Sequence, residues 1–340
     1  MSLILGIESS CDETAAAVVL NGRKALSSVI HSQIDIHKAF GGVVPEIAAR
    51  EHLRLIDIVV EQALADADCE LSAIDAIAVT QGPGLVGALL VGIAYAKGLA
   101  FSSAKALIPV NHVEAHVHGA ILGLDILSDQ IFPCLALVVS GGHTNIYAMT
   151  DARSFELMAY SIDDACGESF DKVAKLFGLG YPGGPAIETR ARLGRSDRFP
   201  MPKMMEQKDK LMFSYSGLKT CMVNLRARYA AELTDALIND LCASFQEEAL
   251  GQLLRKLQRA LLVKPLSRSI LIAGGVAANQ RFRDLAAEKL SVPAHFPQLR
   301  FCSDNAAMIA ALGAYHYAAA ENQAVFQDLS WDAFSRYQFE

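Results

Sequence analysis

His112-Val113-Glu114-Ala115-His116 places two imidazoles four residues apart within an apolar run. The surrounding stretch, Val110 to Leu122, is predicted to be helical, and residues i and i+4 of a helix share one face. Two neutral imidazoles on one face form half of a metal site, which needs one or two further ligands from elsewhere. A zinc-protease reading does not fit the residue order. In His-Glu-x-x-His the glutamate follows the first histidine and serves as base. Here Glu114 comes two positions on, about 200° around the helix from His112. The competing structural reading is a pair of ordinary surface or core histidines. Asp304 offers a further carboxylate, because Ser303-Asp304-Asn305 precedes a strong helix from Ala306 to Leu312. Asp304 could simply cap that helix. Placed opposite the histidines, it would instead complete a site of two histidines and one carboxylate with open positions. Such a site suits iron or zinc and can take a substrate oxygen.

Two turns, Ser9 to Thr14 and Ser140 to Thr144, carry small and hydroxyl residues able to bond phosphate oxygens. Either one alone is also what an ordinary hairpin carries. Gln81-Gly82-Pro83-Gly84 lies between a buried strand, Ala76 to Thr80, and a helix starting near Leu85, an order that points backbone N–H groups at an anion.

The elements that must position these groups alternate between strand and helix. Leu3 to Ser9 and Ala15 to Leu20 are predicted as paired strands, and Pro45 to Leu64 as an amphipathic helix. The pattern then restarts, with strands Cys134 to Val139 and Asn145 to Met149 joined by the second turn. A further strand, Ser269 to Ala273, runs into Gly274-Gly275-Val276-Ala277-Ala278-Asn279. Asn239 to Leu262 is predicted as a long helix bridging the two parts. The expected architecture is two similar α/β domains, 1–124 and 125–340, facing across a cleft, with the last helix packing back on the first domain.

At 340 residues the chain exceeds one ordinary core, and 52% apolar composition indicates well-buried globular structure. The apolar stretch Leu85 to Phe101 contains Lys97 and is marginal in length, so a buried helix is expected there and no membrane span. The N-terminus enters a strand pattern at once, and no signal peptide is expected. Seven cysteines form no Cys-x-x-Cys pair, which fits a reduced cytoplasmic compartment. Net charge is −7, yet Arg190 to Arg228 holds ten Lys/Arg against three Asp/Glu. That stretch is a candidate nucleic-acid contact, with a solvated basic face as the alternative.

The Ser9 and Ser140 turns together with Gly274-Gly275 resemble the phosphate and nucleoside loops of the actin-like ATPase (ribonuclease-H-like, sugar kinase and chaperone ATPase) superfamily. Motifs in one order along nearly the whole chain resemble a narrower family, the universal tRNA N6-threonylcarbamoyladenosine synthases, formerly labelled O-sialoglycoprotein endopeptidases. They are Gly6 to Thr14, Gly41 to Glu46, Gly82 to Leu85, His112 to His116, Val139 to Thr144, Asp163 to Lys172, Tyr181 to Pro185, Phe213 to Thr220, Gly274 to Asn279 and Asp304 to Ala310. The resemblance implies metal ligands at His112, His116 and Asp304, holding one divalent metal per subunit, with Fe(2+) favoured over Zn(2+). It implies nucleotide contacts at Val138, Val139, Ser140, Gly141, Gly142, Asp171, Gly184, Glu188 and Asn279, with Ser9 to Glu13 toward the phosphate and acyl region. Asp12 and Glu13 are the candidate catalytic bases. Val138 stands where archaeal and eukaryotic relatives carry a metal-binding tyrosine, which leaves three protein ligands.

The implied reaction moves a threonylcarbamoyl group from threonylcarbamoyl-adenylate to N6 of the adenosine 3′ of the anticodon, in tRNAs reading codons that begin with A. Implied partners are tRNA, a TsaB-like paralogue and a TsaE-like small ATPase, with the adenylate supplied by a TsaC-like synthase; no membrane is involved. An apolar face on the Glu46 to Leu64 helix is a candidate docking surface. A nucleotide-gated binding module or small-molecule kinase is the alternative on the same fold, and a metalloprotease a remote third.

Overall fold

The computed structural model describes residues 1–124, 128–206 and 211–336, which form two compact units: Met1–Ile126 with Pro297–Glu340, and Leu127–Phe296. The first unit opens with β1 (Leu3–Glu8), β2 (Glu13–Leu20), β3 (Lys24–Ala25) and β4 (Val29–Ser32). It continues through α1 (Ile34–Lys38), α2 (Pro45–Asp66), β5 (Ala76–Gly82), α3 (Val86–Ser103), β6 (Ala106–Asn111) and α4 (His112–Ile121). Its sheet runs β3-β2-β1-β5-β6, with β4 pairing β2. β1 is antiparallel to β2 and parallel to β5, and β5 is parallel to β6. β1, β5 and β6 therefore end at the same edge of the sheet, where ligands bind in open α/β sheets.

The second unit contains α5 (Ser128–Ile131), β7 (Cys134–Val139), β8 (Thr144–Met149), β9 (Glu156–Tyr160), α6 (Cys166–Leu176), α7 (Gly183–Ala191) and α8 (Ser216–Arg228). It ends with α9 (Asp235–Val263), β10 (Ser269–Ala273), α10 (Gln280–Lys289) and β11 (Ala294–His295). Its sheet order is β11-β10-β7-β8-β9. Here too an antiparallel hairpin, β7–β8, lies beside parallel strands. Each sheet thus reads third, second, first, fourth, fifth strand of its own unit, β4 aside. That is the repeated pattern expected from the sequence, and the fold is that of the actin-like ATPases.

The chain returns to the first unit for α11 (Ala306–Ala319), whose residues Ala306 to Ala314 are all buried. A helix apolar on every side must be enclosed, and α11 packs on β1, β2, β5, β6 and α4. Gly6 makes this seating possible, since a Cβ there would stand 2.3 Å from the Ala306 carbonyl oxygen and 2.8 Å from the Ala310 nitrogen. The boundary drawn from sequence put Asp304 and α11 in the second domain; the structure puts residues 297–340 in the first. α9 likewise differs from its reading as a bridge. It starts earlier, with Thr234 accepting from Leu237 N at its cap, and lies wholly within the second unit against α7, α8, α10 and β7.

α3 is the one described helix long and apolar enough to cross a membrane. It packs on β5 and α2, with Ala88, Leu89, Ile93 and Ala96 buried. All seven cysteines are free thiols.

Candidate metal centre

The helix expected from Val110 begins two residues later, because Val110 and Asn111 belong to β6. Asn111 caps α4, its Oδ1 accepting from Val113 N and Glu114 N, so His112 is the first helical residue. His112 and His116 then sit one turn apart, with ring centroids 4.8 Å from each other. Asp304 arrives from the start of α11. Its Oδ1 lies 3.7 Å from His112 Nε2 and 3.3 Å from His116 Nε2. Donors sharing an ion at about 2.1 Å would be spaced by roughly 3.4 Å in a tetrahedral shell. The cap that sequence allowed to Asp304 is made by its neighbour: Asn305 Oδ1 accepts from Met308 N at 3.0 Å.

A cation fits this donor set. His116 is buried, and neither of its ring nitrogens has a hydrogen-bond partner among the described residues. A buried imidazole in that condition carries an uncompensated desolvation cost. A shared ion would satisfy Nε2. Glu114, the residue a protease would need at the metal, instead accepts from Asn111 Nδ2 at 3.4 Å.

Glu8 lies within the Gly6 to Thr14 motif, where sequence assigns it no role. It ends β1, is fully buried, and accepts from Thr80 Oγ1 at 2.7 Å and Ser10 N at 2.5 Å. Its Oε2 lies 3.0 Å from His112 Nδ1, and Ser10 Oγ is 3.2 Å from that same nitrogen. A carboxylate on Nδ1 fixes the tautomer that leaves Nε2 facing a metal. Burial alone would raise the Glu8 carboxyl, but His112 beside it and the Ser10 bond hold it below the ordinary glutamate value. Burial would likewise lower His112, and Glu8 and Asp304 outweigh it to push the imidazole up. The signal in the sequence was an acidic residue closing an otherwise apolar strand.

The turn after β1 is shorter than expected, since Glu13 and Thr14 already belong to β2. Ser9 is buried, and its hydroxyl donates to the Ala88 carbonyl at 3.0 Å. Glu13 lies close enough to Asp304 and Asp12 to feel their charge. Burial, reinforced by Asp304 and Asp12, pushes the Glu13 carboxyl up to about 10. In that environment Glu13 keeps its proton near neutral pH, so it could act as a base only where positive charge offsets Asp304 and Asp12. His52 of α2 holds the turn in place, with Nδ1 2.8 Å from Thr14 Oγ1 and Nε2 3.0 Å from the Cys11 carbonyl.

In the second unit β7 and β10 pair in parallel through Val138 and Ala273, so the Ser140 turn and the Gly274 to Asn279 segment leave the same edge of the sheet. Val138 and Val139 have fully buried side chains, leaving only their backbone to a ligand. Ser140 N donates to His143 O at 2.8 Å, closing the turn, while Gly141 and Gly142 have open space where a Cβ would be. Asp171 Oδ1 accepts from Gly183 N, next to Gly184, at 2.7 Å. Glu188 Oε1 accepts from Gln280 N at 3.0 Å and Arg192 Nη2 at 2.7 Å. Asn279 caps α10 through Phe282 N, and its Nδ2 donates to Gln246 Oε1. Its amide is thus partly committed to the fold.

Much of the basic stretch is neutralised locally. Arg190 pairs with Asp235, Arg192 with Glu188, Arg195 with Asp197 and Arg198 with Asp240. Lys208 and Lys210 lie outside the described residues. On α8, Lys219, Arg226 and Arg228 have no ion pair among the described residues, and both arginines are exposed. Asp163 mounts this helix, accepting from Ser214 Oγ (2.6 Å), Tyr215 N (2.7 Å) and Ser216 Oγ (2.7 Å). Partial burial works the other way, but these bonds hold the Asp163 carboxyl below its usual value. A depressed carboxylate stabilises above its unfolded pKa and loses that contribution as pH falls through the folded one. Below about pH 4 the α8 start is therefore expected to loosen, and Asp163→Asn should remove this acid dependence, as hydrogen exchange of the 214–216 amides would show.

The family described as tRNA N6-adenosine threonylcarbamoyltransferase (TsaD) matches residues 24–311 of this chain. Proteins of that name from Geotalea daltonii and Syntrophomonas wolfei are 49% and 46% identical over 319 residues, covering 92% and 93% of both chains in each pair. Among solved structures, the (R)-2-hydroxyglutaryl-CoA dehydratase component A of Acidaminococcus fermentans is similar over 94% of this chain and 100% of its own, with TM-score 0.54 and 13% identity. HypF of T. kodakarensis is similar over 93% of this chain and 48% of its own, with TM-score 0.57 and 14% identity. At such identities the structural likeness concerns the fold alone.

Proposed function

Because the chain belongs to the tRNA N6-adenosine threonylcarbamoyltransferase family, we propose that it performs that transfer on tRNA with the residues described above. The acyl donor is threonylcarbamoyl-adenylate and the acceptor is N6 of the adenosine 3′ of the anticodon, in tRNAs reading codons that begin with A. N6 attacks the carbamoyl carbon; the new N–C bond forms as the bond from that carbon to the phosphate oxygen breaks. AMP leaves with the electron pair, and N6 gives up a proton. The observation carrying this reading is the His112–His116–Asp304 cluster, backed by Glu8.

His112, His116 and Asp304 would hold one divalent cation, iron(II) in preference to zinc, which when bound would supply a Lewis acid for the acyl oxygen. Glu8 keeps His112 in the ligating tautomer. Asp12, and Glu13 only where the bound cation offsets its acidic neighbours, are the groups on offer to the N6 proton. In the second unit, the Ser140–Gly142 backbone suits the adenylate phosphate, and the Asp171 and Glu188 carboxylates suit ribose hydroxyls. AMP is a good leaving group, so positioning and electrostatics can supply much of the acceleration. The test is direct. Metal-loaded protein with its TsaB-like and TsaE-like partners, ATP, threonylcarbamoyl-adenylate and an anticodon stem-loop should yield threonylcarbamoyladenosine by mass spectrometry of the digested RNA. Recovery of unmodified adenosine alone would reject the reading.

The proposed setting is the cytoplasm, with a TsaB-like paralogue, a TsaE-like ATPase and a TsaC-like synthase upstream. For the paralogue we favour the outer face of α2, where Leu53 and Ile58 are exposed while Ile56, Val59 and Val60 face the core. For tRNA we favour α8 within the basic stretch, because its cations are not spent on local carboxylates. Reversing Lys219, Arg226 and Arg228 to glutamate is expected to weaken tRNA binding. The slope of log affinity against log salt should fall by about one for each phosphate left without its cation. Unchanged affinity and slope would remove α8 from the interface.

A further inference from the structure

An aromatic side chain stands in solvent seven residues beyond Gln33, the residue that ties the following segment to the acidic turn. Phe40 is 59% exposed, and Ile36, one turn earlier, is 37% exposed. The mount starts at the acidic turn. Ser32 Oγ donates to Glu13 Oε1 at 3.1 Å, Gln33 N donates to the Asp12 carbonyl at 2.9 Å, and α1 follows at once. His37 on α1 is fully buried. Its Nδ1 accepts from Val44 N at 3.2 Å, so Nε2 carries the proton directed at Gln33 Oε1, 3.1 Å away. Phe40 N donates to His37 O at 2.9 Å, and Gly41, at φ +69, turns the chain back toward α2. Asp12, Gln33, His37 and Phe40 are thus joined by successive hydrogen bonds, and the ring is carried on the same framework as the acidic turn.

Single-stranded RNA is read by splaying bases out and stacking them on aromatic side chains, and every base offers a π-face. An adenosine whose N6 must reach a protein site has to leave its own stack, which uncovers the bases beside it. We propose that Phe40 is a stacking platform for an unpaired base of the anticodon loop next to the adenosine being modified, an inference that rests on transfer to tRNA. Lys38 in α1 adds a cation for the neighbouring phosphate, and Asp35 in the same helix disfavours a purely electrostatic role.

Phe40→Ala, Phe40→Leu and Phe40→Trp separate stacking from apolar packing, because leucine keeps the hydrophobic surface and loses the flat ring. The measurement is steady-state transfer to a synthetic anticodon stem-loop with the same two partners and ATP present, with thermal melting to confirm folding. Alanine and leucine should each raise KM for the stem-loop by about ten-fold, and tryptophan should restore it. A second arm uses stem-loops carrying one abasic position at a time in the loop. The alanine penalty should vanish for the position whose base stacks. Rescue by leucine, a KM for Phe40→Ala equal to that of the parent chain, or a penalty that survives at every abasic position would overturn the proposal. The parent chain in the same assay keeps the two readings apart: if it transfers nothing, the acceptor reading fails, and if it transfers while leucine rescues, only the stacking platform fails.

Discussion

Asp304→Ala is expected to lower transfer by about a thousand-fold or more and to strip bound metal from the purified protein, with little effect on folding. The size follows from losing a principal electrostatic stabiliser at the reacting acyl group. The selectivity follows from the structure. The α11 cap is Asn305, through Met308 N, and α11 is seated by apolar burial along β1. Removing the Asp304 carboxylate therefore costs the helix no cap. It also removes one of the acidic neighbours that raise Glu13. His112→Ala should match it in both metal content and transfer, though with some loss of stability because that ring is buried. Metal content by mass spectrometry, transfer to the stem-loop and a thermal melt suffice as measurements. Asp304→Ala protein that retains metal and transfers within about ten-fold of the parent would sink the assignment.

Glu8→Gln should weaken metal binding by about ten- to a hundred-fold, the usual consequence of removing a partner that orients a ligand. The substitution preserves shape and changes one property. Glu8 Oε2 can only accept a proton from His112 Nδ1, so Nε2 is left to bind a cation. An amide nitrogen in that position would donate to Nδ1 and drive the proton to Nε2, which then cannot ligate. Thr80 Oγ1 can rotate to accept, and the glutamine oxygen can still take Ser10 N. Excess metal should restore much of the transfer, which distinguishes weakened affinity from a ruined site. A metal affinity equal to that of the parent would show that Glu8 does not set the His112 tautomer.

What could be read in advance differs by the range of the interaction. The histidine pair was legible because helical period is local: four residues bring two side chains to one face whatever the rest of the chain does. Strand β7 matched its expected bounds, since buried strands announce themselves as short apolar runs between turn residues. The start of α4 was misjudged because Val110 suits the end of a strand and the start of a helix equally, and only the Asn111 cap decides. The partner of the Ser9 hydroxyl, the Ala88 carbonyl, was not legible, because it comes from an element 79 residues away along the chain.

Residue order alone was enough for two hydroxyl-bearing turns, a pair of imidazoles on one helix face, and the alternation of strands and helices in two similar halves. Its motifs also place the chain among the tRNA N6-adenosine threonylcarbamoyltransferases. It took the folded chain to show that Asp304 belongs with the first unit and stands 3.3 Å from His116, and that buried Glu8 holds the far side of His112. The fold also buries Glu13 beside Asp304 and Asp12, and carries Phe40 outward on a buried histidine. Local periodicity fixes which face of an element a side chain occupies, whereas charge, tautomer and proton affinity depend on neighbours from distant parts of the chain. Those neighbours meet only when α11 settles against β1 over the space left by Gly6.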